Sequence, residues 1–433
     1  MGTPEKNSQT ILPKINRILA YRTLALIVGV GSLAVGLMWF LKVRSDLGGL
    51  IKSDTAGWIS AIEYLPQGQQ VVLISPDGKV HKDPGHTANS IDRDATWSPK
   101  GNFLYFASDR VDHNFNVFRW SPSSEKESEQ RTIGTTRSRG NLRFPAQPIE
   151  EPDNIAKALL TTGGVVQEFD PATSATVQVL PPTSKEITQA KSGDESGTAG
   201  QFEGAYGTLG TSFREGQWCG NQRYICAVMR REAGEVLVIQ DMQRAEGKLP
   251  PPKVLIAGEH VEFAINPKDG NIVYCVQGFQ WPDGKPPEPK DGKKITKPFI
   301  NGLGIFAFEG NPVILGASKG DIVFTSPAIS PDGKAIAIVV GKMEKGELQI
   351  AGLATYPTSN DPTFKPLQYR GDVHEPSWSI DSQHILAALR MPNKPRSIYE
   401  FAMDGTAPRN VTGDTGNYGF PHYSPQQKGA SSS

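Results

Sequence analysis

The chain has 433 residues, with 45 Lys or Arg balanced by 45 Asp or Glu, so it carries no formal net charge. A nucleic-acid binder needs a positive field to neutralise phosphates, and this chain has none to offer, which excludes nucleic acid as an expected partner. Gly (45) and Pro (34) are abundant and helical periodicity is scarce beyond residue 57, which points to an all-β domain.

The first element is a short amino-terminal segment, residues 1–22, bearing Lys6, Lys14, Arg17 and Arg22. An uncharged apolar run follows from Leu24 to Leu41. Eighteen residues at about 1.5 Å each give roughly 27 Å, close to a hydrocarbon core. Trp39 and Phe40 sit where an interfacial anchor belongs, and Lys42 and Arg44 follow. No small-residue cleavage site closes the run, so residues 23–42 are expected to be a retained signal anchor. Long domains translocate largely regardless of flanking charge, so the amino terminus is placed in the cytoplasm and the remainder outside it. Ala25, Gly29, Ser32 and Gly36 share one face of the span, a surface on which two such helices can approach for self-association. Residues 43–56 are a linker.

From residue 57 a cassette recurs: an apolar anchor, Ser-Pro-x-Gly or a near relative, then a β-rich run. It reads Trp97-Ser98-Pro99-Lys100-Gly101 and Ile329-Ser330-Pro331-Asp332-Gly333, with looser copies anchored at Tyr64, Trp218, Ile265, Trp378 and Tyr423. Pro presets the first turn residue and Gly takes the left-handed one, so each cassette predicts a strand, a tight turn and a second strand. One long gap, from Trp97 to Trp218, holds two units, the second beginning near Pro148 to Asn154. The mean spacing is then about 51 residues, the length of a four-stranded propeller blade. Seven blades are expected over 57–425, with six or eight left open. Residues 183–207 and 278–298 are expected to be mobile excursions, and residues 426–433 a disordered tail.

The last full unit runs Pro376-Ser377-Trp378-Ser379, His384-Ile385-Leu386-Ala387-Ala388, Ser397-Ile398-Tyr399-Glu400-Phe401, Asp404-Gly405 and Arg409-Asn410-Val411-Thr412. This resembles the TolB-like propeller repeat, over roughly residues 57 to 425. The resemblance implies an extracytoplasmic propeller, here preceded by one transmembrane helix and held at the cytoplasmic membrane.

Chemical signals are sparse. Gly316-Ala317-Ser318-Lys319-Gly320 matches a nucleophile-elbow string, but a strand and not a helix is expected after it, so it reads as a turn. His81, Asp83 and His86 fall in a Pro-Gly turn, and no metal or cofactor is expected. Cys219 and Cys226 flank one hairpin turn, and an oxidising compartment can join them as a disulfide. Cys226 and Cys275 equally suit small core positions.

One charge pattern keeps register with the anchors. Arg93, Arg214 and His374 stand four residues before an anchor; Asp94, Glu215, Glu262 and Glu375 stand three before. Arg110, Arg230, Lys342 and Arg390 follow twelve or thirteen after. The entry of a blade's first strand and the exit of its second share one mouth of the propeller, so these residues are expected to ring it. Either each acid ties to the cation across its own hairpin, contributing under about 1 kcal/mol, or Arg93, Asp94, Arg110, Arg214, Glu215, Arg230, His374, Glu375 and Arg390 form a recognition rim for a protein partner. The function expected is a non-catalytic, membrane-tethered binding scaffold. An enzyme with its site in the funnel, or an accessory subunit of a membrane complex, is the alternative.

Overall fold

The computed structural model describes residues 56–425, apart from 86, 112, 124–126, 133–140, 147–156, 183–211, 246, 251, 282–296, 298, 309–312, 346 and 360. The expected anchor at 23–42 with its small-residue face, the linker up to residue 55, the 183–207 excursion, most of the 278–298 excursion and the tail lie outside the described residues. Among the described residues no helix is long and apolar enough to cross a membrane.

Seven four-stranded antiparallel sheets are built from 28 strands. The first blade contains β1 (Ile59–Leu65), β2 (Gly68–Ile74) and β3 (His81–Lys82). The second is β4 (Asp92–Trp97), β5 (Leu104–Ser108), β6 (Asn116–Trp120) and β7 (Glu129–Gln130). The third is β8 (Asn141–Arg143), β9 (Ala158–Thr162), β10 (Val165–Phe169) and β11 (Thr176–Leu180). The fourth is β12 (Ser212–Cys219), β13 (Tyr224–Arg231), β14 (Gly234–Asp241) and β15 (Lys253–Gly258). The fifth is β16 (His260–Ile265), β17 (Ile272–Gln277), β18 (Asn301–Phe306) and β19 (Val313–Ser318). The sixth is β20 (Ile322–Ile329), β21 (Ala335–Glu344), β22 (Glu347–Pro357) and β23 (Gln368–Arg370). The seventh is β24 (Asp372–Trp378), β25 (His384–Arg390), β26 (Arg396–Ala402) and β27 (Arg409–Asn410). The last strand, β28 (Tyr418–Tyr423), returns to pair with β1 and supplies the innermost strand of the first blade.

This closure explains the one irregular interval in the cassette spacing. Tyr64 lies on β1, the second strand of its blade, so the Tyr64 to Gly68 turn is a second-to-third-strand hairpin and not a cassette. The true cassette of the first blade starts at Tyr423 and is completed from the other end of the chain. There the Ser424 N–H donates to the Trp58 carbonyl at 2.8 Å, as Ser98 does to Phe103 and Ser330 does to Ala335, each at 2.9 Å. The third blade also begins earlier than expected, at β8.

Serine explains why the cassette repeats. The Ser330 hydroxyl donates to Asp332 Oδ1 at 2.6 Å and accepts the Ala335 N–H at 2.9 Å, while Asp332 accepts the Lys334 N–H at 3.0 Å. Ser379 and Asp381 repeat the arrangement, at 2.5 Å, with His384 and Gln383 as donors. Short polar side chains thus close the turn by bonding its own backbone. At Gly333, φ is +72° and an added Cβ would lie 2.6 Å from Asn266 Oδ1, so the glycine is needed both for the turn and for the approach of the fifth blade's cassette.

Among the described residues the core is divided. Each of the seven blade-to-blade interfaces holds its own apolar cluster, from Ile62, Trp97 and Phe118 between the first two blades to Ile59, Leu386 and Tyr418 between the last and first. Middle strands pack on both sides, so β13 and β25 each bury five consecutive residues instead of alternating. The anchors link neighbours as well: Trp378 Nε1 donates to the Ala328 carbonyl of the sixth blade at 3.0 Å.

Candidate binding face

The turns between first and second strands lie on one face of the ring, the cassette face. The second-to-third-strand hairpins and the links between blades lie on the other, the hairpin face. β4 and β5 pair Asp92 with Ser108, β12 and β13 pair Ser212 with Arg230, and β24 and β25 pair Asp372 with Arg390. The charged positions singled out by register therefore do sit at the hairpin-face ends of their strands.

Their partners differ from those expected. In four blades the position three residues before the anchor is a bulge on the innermost strand: Asp94, Ser326, Glu375 and Phe420 have φ of +52°, +54°, +55° and +51°. A bulge leaves one N–H outside the ladder and re-aims its side chain. Glu375 accepts the Phe420 N–H at 2.7 Å, and Glu262 accepts the Ser326 N–H together with the Thr325 hydroxyl at 2.8 Å. Glu262 and Glu375 thus latch onto the bulge of the next blade.

Arg110 is buried in an ion pair. Its guanidinium makes a bidentate pair with Asp92 at 2.9 and 2.8 Å, donates to the Gly85 carbonyl and the Ser128 hydroxyl, and lies 5.0 Å from the Phe106 and Phe118 rings. The arginine side chain is 8% exposed and the aspartate 0%. It belongs to the interior of the second blade because Asp92, five residues before the anchor, needs a buried counter-charge. Arg93 lies 5.8 Å from the Phe115 ring. Arg214 bonds Glu235 at 3.0 Å and Glu215 at 3.7 Å, Arg230 approaches Glu235 at 3.9 Å, and His374 Nε2 bonds Asp372 at 2.6 Å. Arg396, not Arg390, faces Glu375, at 3.6 Å. The nine residues are spread over the second, fourth and seventh blades.

Residues that register did not mark complete the ring. His260 stands between two carboxylates, Nδ1 2.9 Å from Glu235 and Nε2 3.2 Å from Glu262. Both ring nitrogens face acceptors, which requires the imidazolium. Hydrogen bonding to Glu235 and then Glu262 raises its pKa to about 9. Burial opposes ionisation of Glu235, yet His260, the Val261 N–H and Arg214 hold it down at about 2. Glu215, by contrast, is raised by burial despite Arg214 and Arg143, and Glu375 is raised by burial despite the Phe420 N–H and Arg396. His422 is pushed down to about 4 by burial and then by Arg143.

His260 binds a proton more tightly folded than unfolded, so its contribution is complete below about pH 6.5 and is lost as pH rises through about 9. Wild-type melting temperature is expected to fall between pH 6.5 and 9.5 more than that of His260→Gln. Parallel thermal melts across that window check it, and identical slopes would refute the bridge.

The remaining candidates among the described residues take part in local structure. Ser318 ends β19 and its hydroxyl accepts the Gly320 and Ile322 N–H groups at 3.1 and 3.0 Å while bonding Asp321, with strand β20 following directly, so the nucleophile-elbow string is an inter-blade turn. Asp83 accepts the Gly85 N–H at 2.9 Å and the His81 ring packs edge-on against Tyr418, while His86 lies outside the described residues. Cys219, Cys226 and Cys275 are free, buried thiols, and Cys219 Sγ donates to the Tyr224 carbonyl at 3.6 Å. Gln217 opposes Cys226 and Cys219 opposes Tyr224, so the first two cysteines are diagonal rather than directly paired.

What does segregate to the hairpin face is exposed apolar surface. Of eleven exposed large hydrophobic side chains among the described residues, seven lie on it or at its channel mouth: Val111, Ile300, Ile322, Met343, Leu348, Met391 and Phe420. Four of these adjoin. Met343 and Leu348 are cross-strand partners, the Met343 N–H donates to the Asp321 carbonyl beside Ile322, and Ile300 Cδ1 lies 3.2 Å from the Cβ position of Gly320.

No family model matches this chain, and no curated protein does. Solved structures do resemble it. TolB from Acinetobacter baumannii is 14% identical with a TM-score of 0.44, over 86% of this chain and 68% of its own. A puromycin-hydrolysing peptidase from Mycobacterium tuberculosis is 10% identical with a TM-score of 0.50, over 81% and 52%. A post-proline cleaving enzyme from Rickettsia typhi is 8% identical with a TM-score of 0.51, over 87% and 56%. The chain spans about half the length of the two peptidases. TolB-like propellers are thus among its structural neighbours, and at these identities the likeness establishes the fold alone.

Proposed function

We propose that this protein is a non-catalytic binding scaffold that captures a protein partner on its hairpin face, tethered to the cytoplasmic membrane through residues 23–42 with the propeller outside the cytoplasm. One observation carries the reading: exposed apolar side chains collect on the hairpin face and its channel mouth, while the cassette face closes its turns on themselves. A rigid ring presenting apolar groups within a polar rim has the anatomy of a protein-binding patch. The tether rests on the length of the uncharged run and its interfacial Trp39 and Phe40.

Protease added to right-side-out spheroplasts should digest the propeller, and a gentle detergent extract should retain a partner on the wild-type chain but not on Met343→Asp/Leu348→Asp. Digestion only after lysis would overturn the topology. Equal partner retention by the double variant would overturn the face.

A further inference from the structure

We infer that the cleft between the sixth and seventh blades is an anion-binding subsite that takes an acidic peptide segment of the partner. The inference rests on reading the hairpin face as the binding face, and it names the chemistry of one part of it. The cleft encloses about 640 Å³ between residues 369–372, which link the two blades, and residues 389–394, the second-to-third-strand hairpin of the seventh.

Three charged side chains reach it besides Asp372. Lys394 is bound to Asp414 at 2.6 Å. Asp372 is the backbone partner of Arg390 across the β24–β25 ladder, yet its carboxylate bonds His374 Nε2 at 2.6 Å instead. Arg390 is thereby left without a counter-ion, and Arg370 on the opposite wall is in the same position: among the described residues neither guanidinium has an ion pair or a side-chain hydrogen bond, and both are exposed. Arg110, Arg214, Arg223, Arg396 and Arg409 each hold a carboxylate. Two unpaired guanidiniums therefore face one cleft.

A guanidinium presents a planar fork of donors that matches a carboxylate at both oxygens. A single small anion would occupy little of this volume and engage one wall. Two arginines on separate walls, with Tyr369 held in place against Phe401 at 5.0 Å and Met391 exposed beside them, suit an extended chain carrying successive carboxylates.

The test is fluorescence anisotropy of a fluorescein-labelled oligoglutamate peptide titrated with the whole chain in detergent. The peptide should bind with strong salt dependence, an oligoglutamine control should not, and Arg370→Ala/Arg390→Ala should weaken binding by at least about tenfold, the loss of one charge-assisted contact or more, without moving the melting temperature. Absence of binding to wild type, or equal binding by the double variant, would overturn the subsite. Inorganic phosphate that displaces the peptide and binds more tightly would overturn the peptide assignment. Met343→Asp/Leu348→Asp should keep peptide binding while losing the partner. If the arginine variant loses the peptide yet captures the partner fully, the subsite fails and the binding face stands.

Discussion

Replacing Arg110 with alanine is expected to destabilise the propeller by about 3–5 kcal/mol, the range for leaving one half of a buried ion pair unmatched. Asp92 is fully buried, and its carboxylate also accepts the Val71 N–H of the first blade at 3.2 Å, so it cannot swing into water to escape. Removing the guanidinium would also strip donors from the Gly85 carbonyl and Ser128 and open a gap beside the stacked Phe106 and Phe118 rings. Asp92→Asn combined with Arg110→Met, which neutralises both sides and keeps volume, should recover a good part of the loss. Urea unfolding of the three chains checks this. An Arg110→Ala chain within about 1 kcal/mol of wild type, the scale of an exposed pair, would show that the pair is not buried in solution. The same burial makes charge reversal at Arg110 a probe of folding and not of recognition.

Removing β28 is expected to have a still broader effect. A chain ending at Asn417 loses the innermost strand of the first blade, and with it the pairing of Ile59 with Tyr423 and of Glu63 with Tyr418. Buried Tyr418 also leaves the cluster of Ile59, Leu386 and Val411 that joins the last blade to the first. Closure is what removes the edges of a propeller, so the opened ring would expose β1 along its length. No cooperative thermal transition is expected from this chain, whereas one ending at Pro425 should melt like wild type. Calorimetry decides between them, and a cooperative transition of the shorter chain at the wild-type midpoint would refute closure by β28.

The blade repeat was legible because turn chemistry is local. Pro331 and Gly333 announce a turn wherever they fall, and Trp97 and Trp378 mark where packing sets the register. The spacing still gives seven blades although Tyr64 marks a second strand and not a first, since Tyr64 to Gly68 closes a hairpin with the same residue types as a cassette. Ser75, Pro76, Asp77 and Gly78 show the converse: the same staple, with Ser75 bonded to Asp77 at 2.6 Å, serves a third-to-fourth-strand turn that register did not mark. Charges were harder to read. Register placed Glu262 and Glu375 correctly on one end of the ring, but their partners, the N–H groups of Ser326 and Phe420, lie a blade further on and are exposed by bulges that leave no residue-type signature. Arg110 and Arg390 follow their anchors by thirteen and twelve residues, and only the neighbours decide their fates: a buried Asp92 captures the first, while His374 takes Asp372 from the second. Glu235 and His260 carry no register signal for the same reason, since their bridge spans two blades.

The hairpin face as the partner-binding surface is tested most directly by site-specific photocrosslinking of the full chain in native membranes. A benzophenone amino acid placed at Ile322 or Met343 on the hairpin face, and at Lys100 or Lys334 on the cassette face, samples both sides of one ring. Adducts of one defined mass from the first pair and none from the second are the expected result. Adducts confined to Lys100 and Lys334 would contradict it.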